Sequence, residues 1–235
     1  MIWIFAALLV GWGNAAPPLI GATARLPGGS WAFVAAGATI TIVSAVVAWR
    51  AGLDASAMGL RPSGWLRGAA LGAVAGAAIA VVGVAGLQLA SLVVGGPVAY
   101  DPLRGVTGAD LTRHLLIFLP LGTVLPEEIA FRGTLVGLLR KSGARAALLG
   151  SAAAFSLWHA AVAVFTVNDT TVALTPWYVP AIGGALAVVF AGGLVLAWLR
   201  LRTKTLATTI AAHWSFNATL LVGLWSTLPA PVPHA

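Results

Sequence analysis

Residues 68–95 read GAALGAVAGAAIAVVGVAGLQLASLVVG, a stretch without a charged side chain in which Gln88 and Ser91 are the only polar ones. A helix of about 20 apolar residues crosses the ~30 Å hydrocarbon core of a bilayer, and this stretch is longer than that. Backbone N–H and C=O groups find no water in lipid, so the segment has to satisfy them internally, as a helix. Gly68, Gly72 and Gly76 recur at four-residue spacing and give that helix a small face for close packing against another.

Comparable runs lie at residues 2–22, 31–49, 113–139, 146–166, 177–199 and 205–226. With 68–95 they predict an all-α fold, a polytopic transmembrane bundle of about seven spans forming a single integral membrane domain over 1–235. The 235 residues are 60% hydrophobic and 8% charged, against roughly 25% charged in a soluble domain. The mean hydropathy is +0.97. These values exclude a chain that is soluble alone. A transmembrane barrel would show ~10-residue stretches of alternating polarity, which the sequence lacks. The first run has no Lys or Arg before Arg25 and reads as a retained span rather than a cleaved signal peptide. Asn14, Pro17 and Pro18 make it the weakest helix of the set. No cysteine is present, which excludes disulfides, thiolate metal sites and a cysteine nucleophile.

Thirteen Lys and Arg against six Asp and Glu give a net charge of +7. They form no basic domain for nucleic acid, so no nucleic-acid partner is expected. They fall between the spans instead, where positive charge sets orientation. Arg50, Arg61 and Arg67 follow the second run, Arg140, Lys141 and Arg145 the fourth, and Arg200, Arg202 and Lys204 the sixth. Those connections are expected to be cytoplasmic, with the N-terminus inside and the C-terminus outside. Trp31, Trp49, Trp65, Trp177 and Trp225 lie near span ends, where tryptophan anchors to the interface. The richness in Ala, Gly and Arg points to a prokaryotic cell membrane.

An ionisable residue within a span is costly and is a functional-site hypothesis by default. The fourth run carries LPEEIAFRG with Glu127, Glu128 and Arg132, the fifth FSLWH with Phe155 and His159, and the seventh HWSFN with His213 and Asn217. Residues four apart share a helix face, so Glu128 and Arg132 pair locally and the arginine offsets that charge. Glu127 has no such partner. An isolated carboxylate in a low-dielectric site is suited to take up a proton, and Glu127 is expected to be the general base. At ~1.5 Å rise per residue from the cytoplasmic ends, Glu127, His159 and Asn217 lie at ~20 Å and His213 at ~14 Å, so three helices bring polar groups to one level. Phe155 is read as a packing residue that orients His159. His114, near the outer interface, and His234, in the tail, receive no role.

In these residues the chain resembles the CAAX protease and bacteriocin-processing family of intramembrane endopeptidases, which includes the type II CAAX prenyl endopeptidases. The ordered motifs are E-E-x-x-x-R at Glu127, Glu128 and Arg132, F-x-x-x-H at Phe155 and His159, and H-x-x-x-N at His213 and Asn217. They define a catalytic core of about 113–226. The resemblance implies peptide hydrolysis in which Glu127 and His159 activate water while His213 and Asn217 stabilise the oxyanion. Glu128, Arg132 and Phe155 would support them. It also implies a peptide or membrane-protein substrate, one class of which has a lipidated C-terminus. The family is often labelled metalloprotease, and zinc, if bound, would take Glu127, His159 and His213. No H-E-x-x-H helix is present, and the expectation is of no tightly bound metal or other cofactor. Competing readings are a proton- or ion-coupled transporter, since Glu and His also make relays, and a non-catalytic scaffold or immunity factor on the same fold.

Overall fold

The computed structural model describes residues 1–20, 26, 29–61 and 63–228. Arg25 and His234, which entered the sequence reading, lie outside them. Among the described residues the regular structure is helical, and the one β feature is an isolated bridge between Tyr100 and Thr170.

All seven apolar runs are helical, but they do not give seven apolar spans. Among the described residues five helices are individually long and apolar enough to cross a membrane: α1 (Ile2–Ile20), α2 (Trp31–Arg50), α3 (Trp65–Val94), α4 (Gly108–Ser142) and α7 (Tyr178–Thr203). The fifth run is broken into α5 (Ala144–Trp158) and α6 (Ala160–Asn168), which meet at 44° about His159 and make a sixth span only as a pair. The seventh run, α8 (Leu206–Ser226), is long enough but is not among the apolar spans. Its His213, Asn217 and hydroxyl side chains lower its hydropathy, and they are tolerable because that face is turned into the protein.

Glycine governs how α8 is held. A β-carbon at Gly72 or Gly76 of α3 would overlap the backbone carbonyl of Thr208 or Ala212, so these positions admit no larger residue at this helix separation. The packing role expected of the glycine face is the one observed. Two indoles tie α8 to the α4 side: Trp214 Nε1 donates to Leu115 O and Trp225 Nε1 to Val106 O, each at 2.9 Å. Trp225, expected as an interfacial anchor, thus spends its N–H inside the protein. Trp31, Trp49, Trp65 and Trp177 are exposed at helix ends, as anchors would be.

α4 runs through the middle of the bundle and is not a uniform α-helix. It widens to π-helical turns over His114–Val124 and Glu128–Leu135, on either side of a short α-helical turn at Leu125–Glu127. The Leu125 N–H reaches Pro120 O and the Val136 N–H reaches Phe131 O, each five residues back. Pro120 and Pro126 lack an N–H, and a proline ring crowds the carbonyl four residues earlier, so wider turns relieve the first half of α4. Gly37 of α2 packs so near Pro126 and the Gly122 carbonyl that no β-carbon fits there. Around the second wide segment Phe131, Leu135 and Leu138 pack with Phe5 and Leu9 of α1, Ile40 of α2 and Phe155 and Trp158 of α5.

Candidate active site

The bend of α5–α6, the junction of the turns in α4 and the inward face of α8 bring the polar residues of three helices together. Glu128 and Arg132 are both fully buried and pair within α4, Arg132 Nη1 donating to Glu128 Oε1 at 3.2 Å. The arginine also lies over the Phe155 ring, its Cζ 4.0 Å from the centroid. Its Nε and Nη2 find no hydrogen-bond partner, so this cation depends on the carboxylate and on the rings of Phe155 and, at 5.8 Å, Phe131.

Glu128 does more than offset Arg132. His213 Nδ1 donates to the same Oε1 at 2.9 Å, a contact between α8 and α4 that spacing along one helix could not reveal. His159 Nδ1 lies 2.8 Å from Phe155 O, an atom that can only accept, so this nitrogen carries the hydrogen. Both imidazoles are therefore held through Nδ1–H and turn Nε2 toward one atom. Glu127 Oε2 stands 3.8 Å from His159 Nε2 and 3.9 Å from His213 Nε2, and it has no hydrogen-bond partner. Phe155 packs edge-on against both rings, with centroids 4.5 Å from His159 and 5.9 Å from His213. It orients two histidines where the sequence suggested one.

Exposure separates these residues into two groups. The side chains of Glu128 and Arg132 have none, whereas those of His159, His213 and Glu127 keep 16%, 9% and 8%. The inner pair can act only through what it touches. The outer three keep a small exposure, and in them both imidazole Nε2 atoms face the unpartnered carboxylate oxygen of Glu127.

Asn217 lies one turn beyond His213 on α8, is half-buried, and makes no side-chain hydrogen bond among the described residues. It shares the helix with His213 but is not in the hydrogen-bonded cluster. Sequence reasoning missed Phe131, whose ring packs edge-on against Phe155 at 5.1 Å and Trp158 at 5.4 Å, and Asn14, which is bonded to both sides of the α5–α6 break. An apolar run gives no signal for the first, whereas a lone asparagine within a span was a signal for the second. His114 is buried at the outer end of α4, away from this cluster.

Glu127, His159 and His213 are residue types that bind zinc, and both histidines are steadied through Nδ1 as zinc ligands are. Their spacing does not suit the ion. Ligands ~2.0–2.1 Å from a tetrahedral zinc lie about 3.3–3.4 Å apart, closer than the 3.8 and 3.9 Å found here. Among the described residues no group of three His, Cys, Asp or Glu is arranged as a metal centre.

Residues 110–219 match the family described as type II CAAX prenyl endopeptidase Rce1-like. No curated protein and no solved structure matches the chain. The matched segment runs from Asp110 in α4 to Thr219 in α8 and contains every residue of the three motifs. The family match agrees with the resemblance carried by those motifs, and residues 110–219 are similar to the type II CAAX prenyl endopeptidase Rce1-like family.

Proposed function

We propose that the chain is an intramembrane endopeptidase in which Glu127 is the general base. The observation that carries this reading is the convergence of both histidine Nε2 atoms on Glu127 Oε2, at 3.8 and 3.9 Å, in the partly accessible half of the site. In this reading one water bridges Glu127 and His159, entering as the site opens to admit the substrate. Glu127 takes one proton from that water while the water oxygen attacks the peptide carbonyl carbon, and His159 Nε2 accepts a hydrogen bond from the O–H that remains. Oxyanion stabilisation falls to His213 and Asn217. His213 fills that role as the imidazolium, with Nδ1–H held by Glu128 and Nε2–H directed at the developing charge, and Asn217 adds its amide N–H. Glu127 then returns its proton to the amine as the C–N bond breaks.

No step needs a metal. The substrate is a peptide or membrane protein, and a lipidated C-terminus would be retained by the surrounding bilayer. The whole chain forms one membrane domain whose catalytic core is about 113–226, with the N-terminus cytoplasmic and the C-terminus outside a prokaryotic cell membrane.

The test is cleavage of a quenched peptide library by purified protein in liposomes. Glu127→Ala is expected to abolish cleavage, and chelator is expected to leave the wild type unchanged. Equal activity in Glu127→Ala removes the proposed base. Activity lost to chelator and restored by zinc overturns the metal-free mechanism. Movement of protons or a labelled solute without peptide cleavage would instead favour a transporter.

A further inference from the structure

The catalytic motifs lie on α4, α5 and α8, yet the break that aims His159 is filled by a residue of α1. Asn14 Nδ2 donates to Leu157 O at 2.8 Å, and Asn14 Oδ1 accepts from Ala161 N at 2.7 Å. In an unbroken α-helix, Leu157 C=O and Ala161 N–H would bond to each other, being four residues apart. The Asn14 carboxamide has entered that bond and satisfies both halves of it. Insertion of a side chain into the helical ladder is an established cause of a sharp kink, and the kink here is 44°.

His159 is the residue between the two helices, with φ −90° and ψ 9°. Its own backbone N–H turns back to Ser156 O at 3.1 Å. The neighbouring contact leaves the wedge little freedom. A β-carbon on Gly13 would overlap the Trp158 ring, so α1 meets α5 closely just where Asn14 enters. Asn14 Nδ2 is also 2.8 Å from Val10 O of its own helix, which fixes the carboxamide from behind.

We infer that Asn14 is a positioning residue for the peptidase: its carboxamide holds the α5–α6 helix open at His159 and so sets the imidazole against Glu127. This inference rests on the hydrolytic reading for its kinetic consequence, but its structural consequence is independent. Asn14→Leu, similar in size and without donor or acceptor, allows the Leu157–Ala161 bond to close. The helix straightens and His159 Nε2 leaves Glu127. An error of about 1 Å in a reacting group lowers turnover by ~100-fold, so kcat is expected to fall by that order with KM within threefold.

The chain has no cysteine, so spin labels at Arg145→Cys and Asn168→Cys, both exposed, report the bend without background sites. Straightening is expected to lengthen their separation by about 2–3 Å. The double variant Asn14→Leu with Ala161→Pro cannot form the helical bond, because proline has no N–H, and is expected to recover at least tenfold in kcat. A purely stabilising role for Asn14 predicts no such recovery, and its absence would overturn the inference. So would an unchanged label separation in Asn14→Leu, or wild-type kcat. If the wild type cleaves no peptide while the labels separate as expected, the peptidase reading fails and the wedge stands. If it cleaves normally and the labels do not move, the wedge alone fails.

Discussion

At the scale of single residues, Glu128 carries more than the sequence assigns to it. One of its oxygens receives both Arg132 and His213, so it neutralises a buried cation and anchors the Nδ1–H of the His213 imidazole. Glu128→Gln should separate these duties. Arg132 would remain fully buried without a carboxylate, a change that costs about 3–5 kcal/mol and would appear as a lower unfolding midpoint in detergent. Glu128→Gln combined with Arg132→Met removes the stranded charge and should recover most of that stability. Cleavage should stay slow in the pair, because His213 still lacks its anionic partner; full recovery of both properties would show that Glu128 serves Arg132 only. The Glu128–Arg132 pair was legible from four-residue spacing, since it lies within one helix. The bond to His213 was not, because it joins residues 85 apart and no periodicity records a contact between helices.

At the scale of elements, the decisive features are close approach and a broken helix. α8 carries His213 and is held at its distance from α4 partly by the glycine face of α3. Gly72→Leu would drive a side chain into the Thr208 carbonyl, push α8 away and move His213. Overpacking typically costs about 1–3 kcal/mol, so both the unfolding midpoint and cleavage should drop. Gly83 on the same helix has open space around it, and Gly83→Leu should leave both unchanged. If the two variants behave alike, the glycine face does not position α8.

The loops at the far end give a pH prediction. Asp101 N donates to Asp169 O at 2.8 Å, bringing two acidic side chains near each other. Partial burial, and then the Asp101 charge, raise the Asp169 carboxyl above its usual range. The folded state therefore holds this proton more tightly than the unfolded chain, and the associated stability falls as pH rises from the unfolded value of ~3.9 through the folded one. Asp169→Asn should raise the melting temperature at pH 7, with the gain vanishing on acidification below about pH 4; a gain independent of pH would assign the effect to something other than this charge. Helix positions were legible because a bilayer demands long apolar runs. The 44° break was not, because its cause is Asn14, about 145 residues away in sequence.

At the scale of the whole molecule, the charges sort to two ends of the bundle. Lys141 Nζ donates to Ala51 O at 3.3 Å, Arg200 Nη2 to Ala57 O at 2.7 Å, and Leu206 N to Gly59 O at 2.9 Å. These contacts gather the α2–α3, α4–α5 and α7–α8 connections, the three that carry the unpaired basic residues, at one end. Arg200, counted with the loop charges in the sequence, is fully buried there and acts as a strut beneath Gly59. Arg50, Arg61, Arg67, Arg140, Lys141, Arg145, Arg202 and Lys204 remain exposed. The opposite end joins Ala99–Asp101 to Asp169–Thr171, and its arginines are matched by acids, Arg104 with Asp101 at 2.7 Å and Arg113 with Asp110 at 3.1 Å. An excess of Lys and Arg marks the cytoplasmic side, so the asymmetry predicts an orientation with the α4–α5 connection inside. Single cysteines placed in this cysteine-free chain test that directly. Leu174→Cys, fully exposed in the α6–α7 loop, should react with an impermeant maleimide in intact cells. Ser142→Cys, exposed beside Lys141, should react only after the membrane is opened. The reverse labelling pattern would invert the orientation, and with it the side of the membrane from which a substrate reaches Glu127.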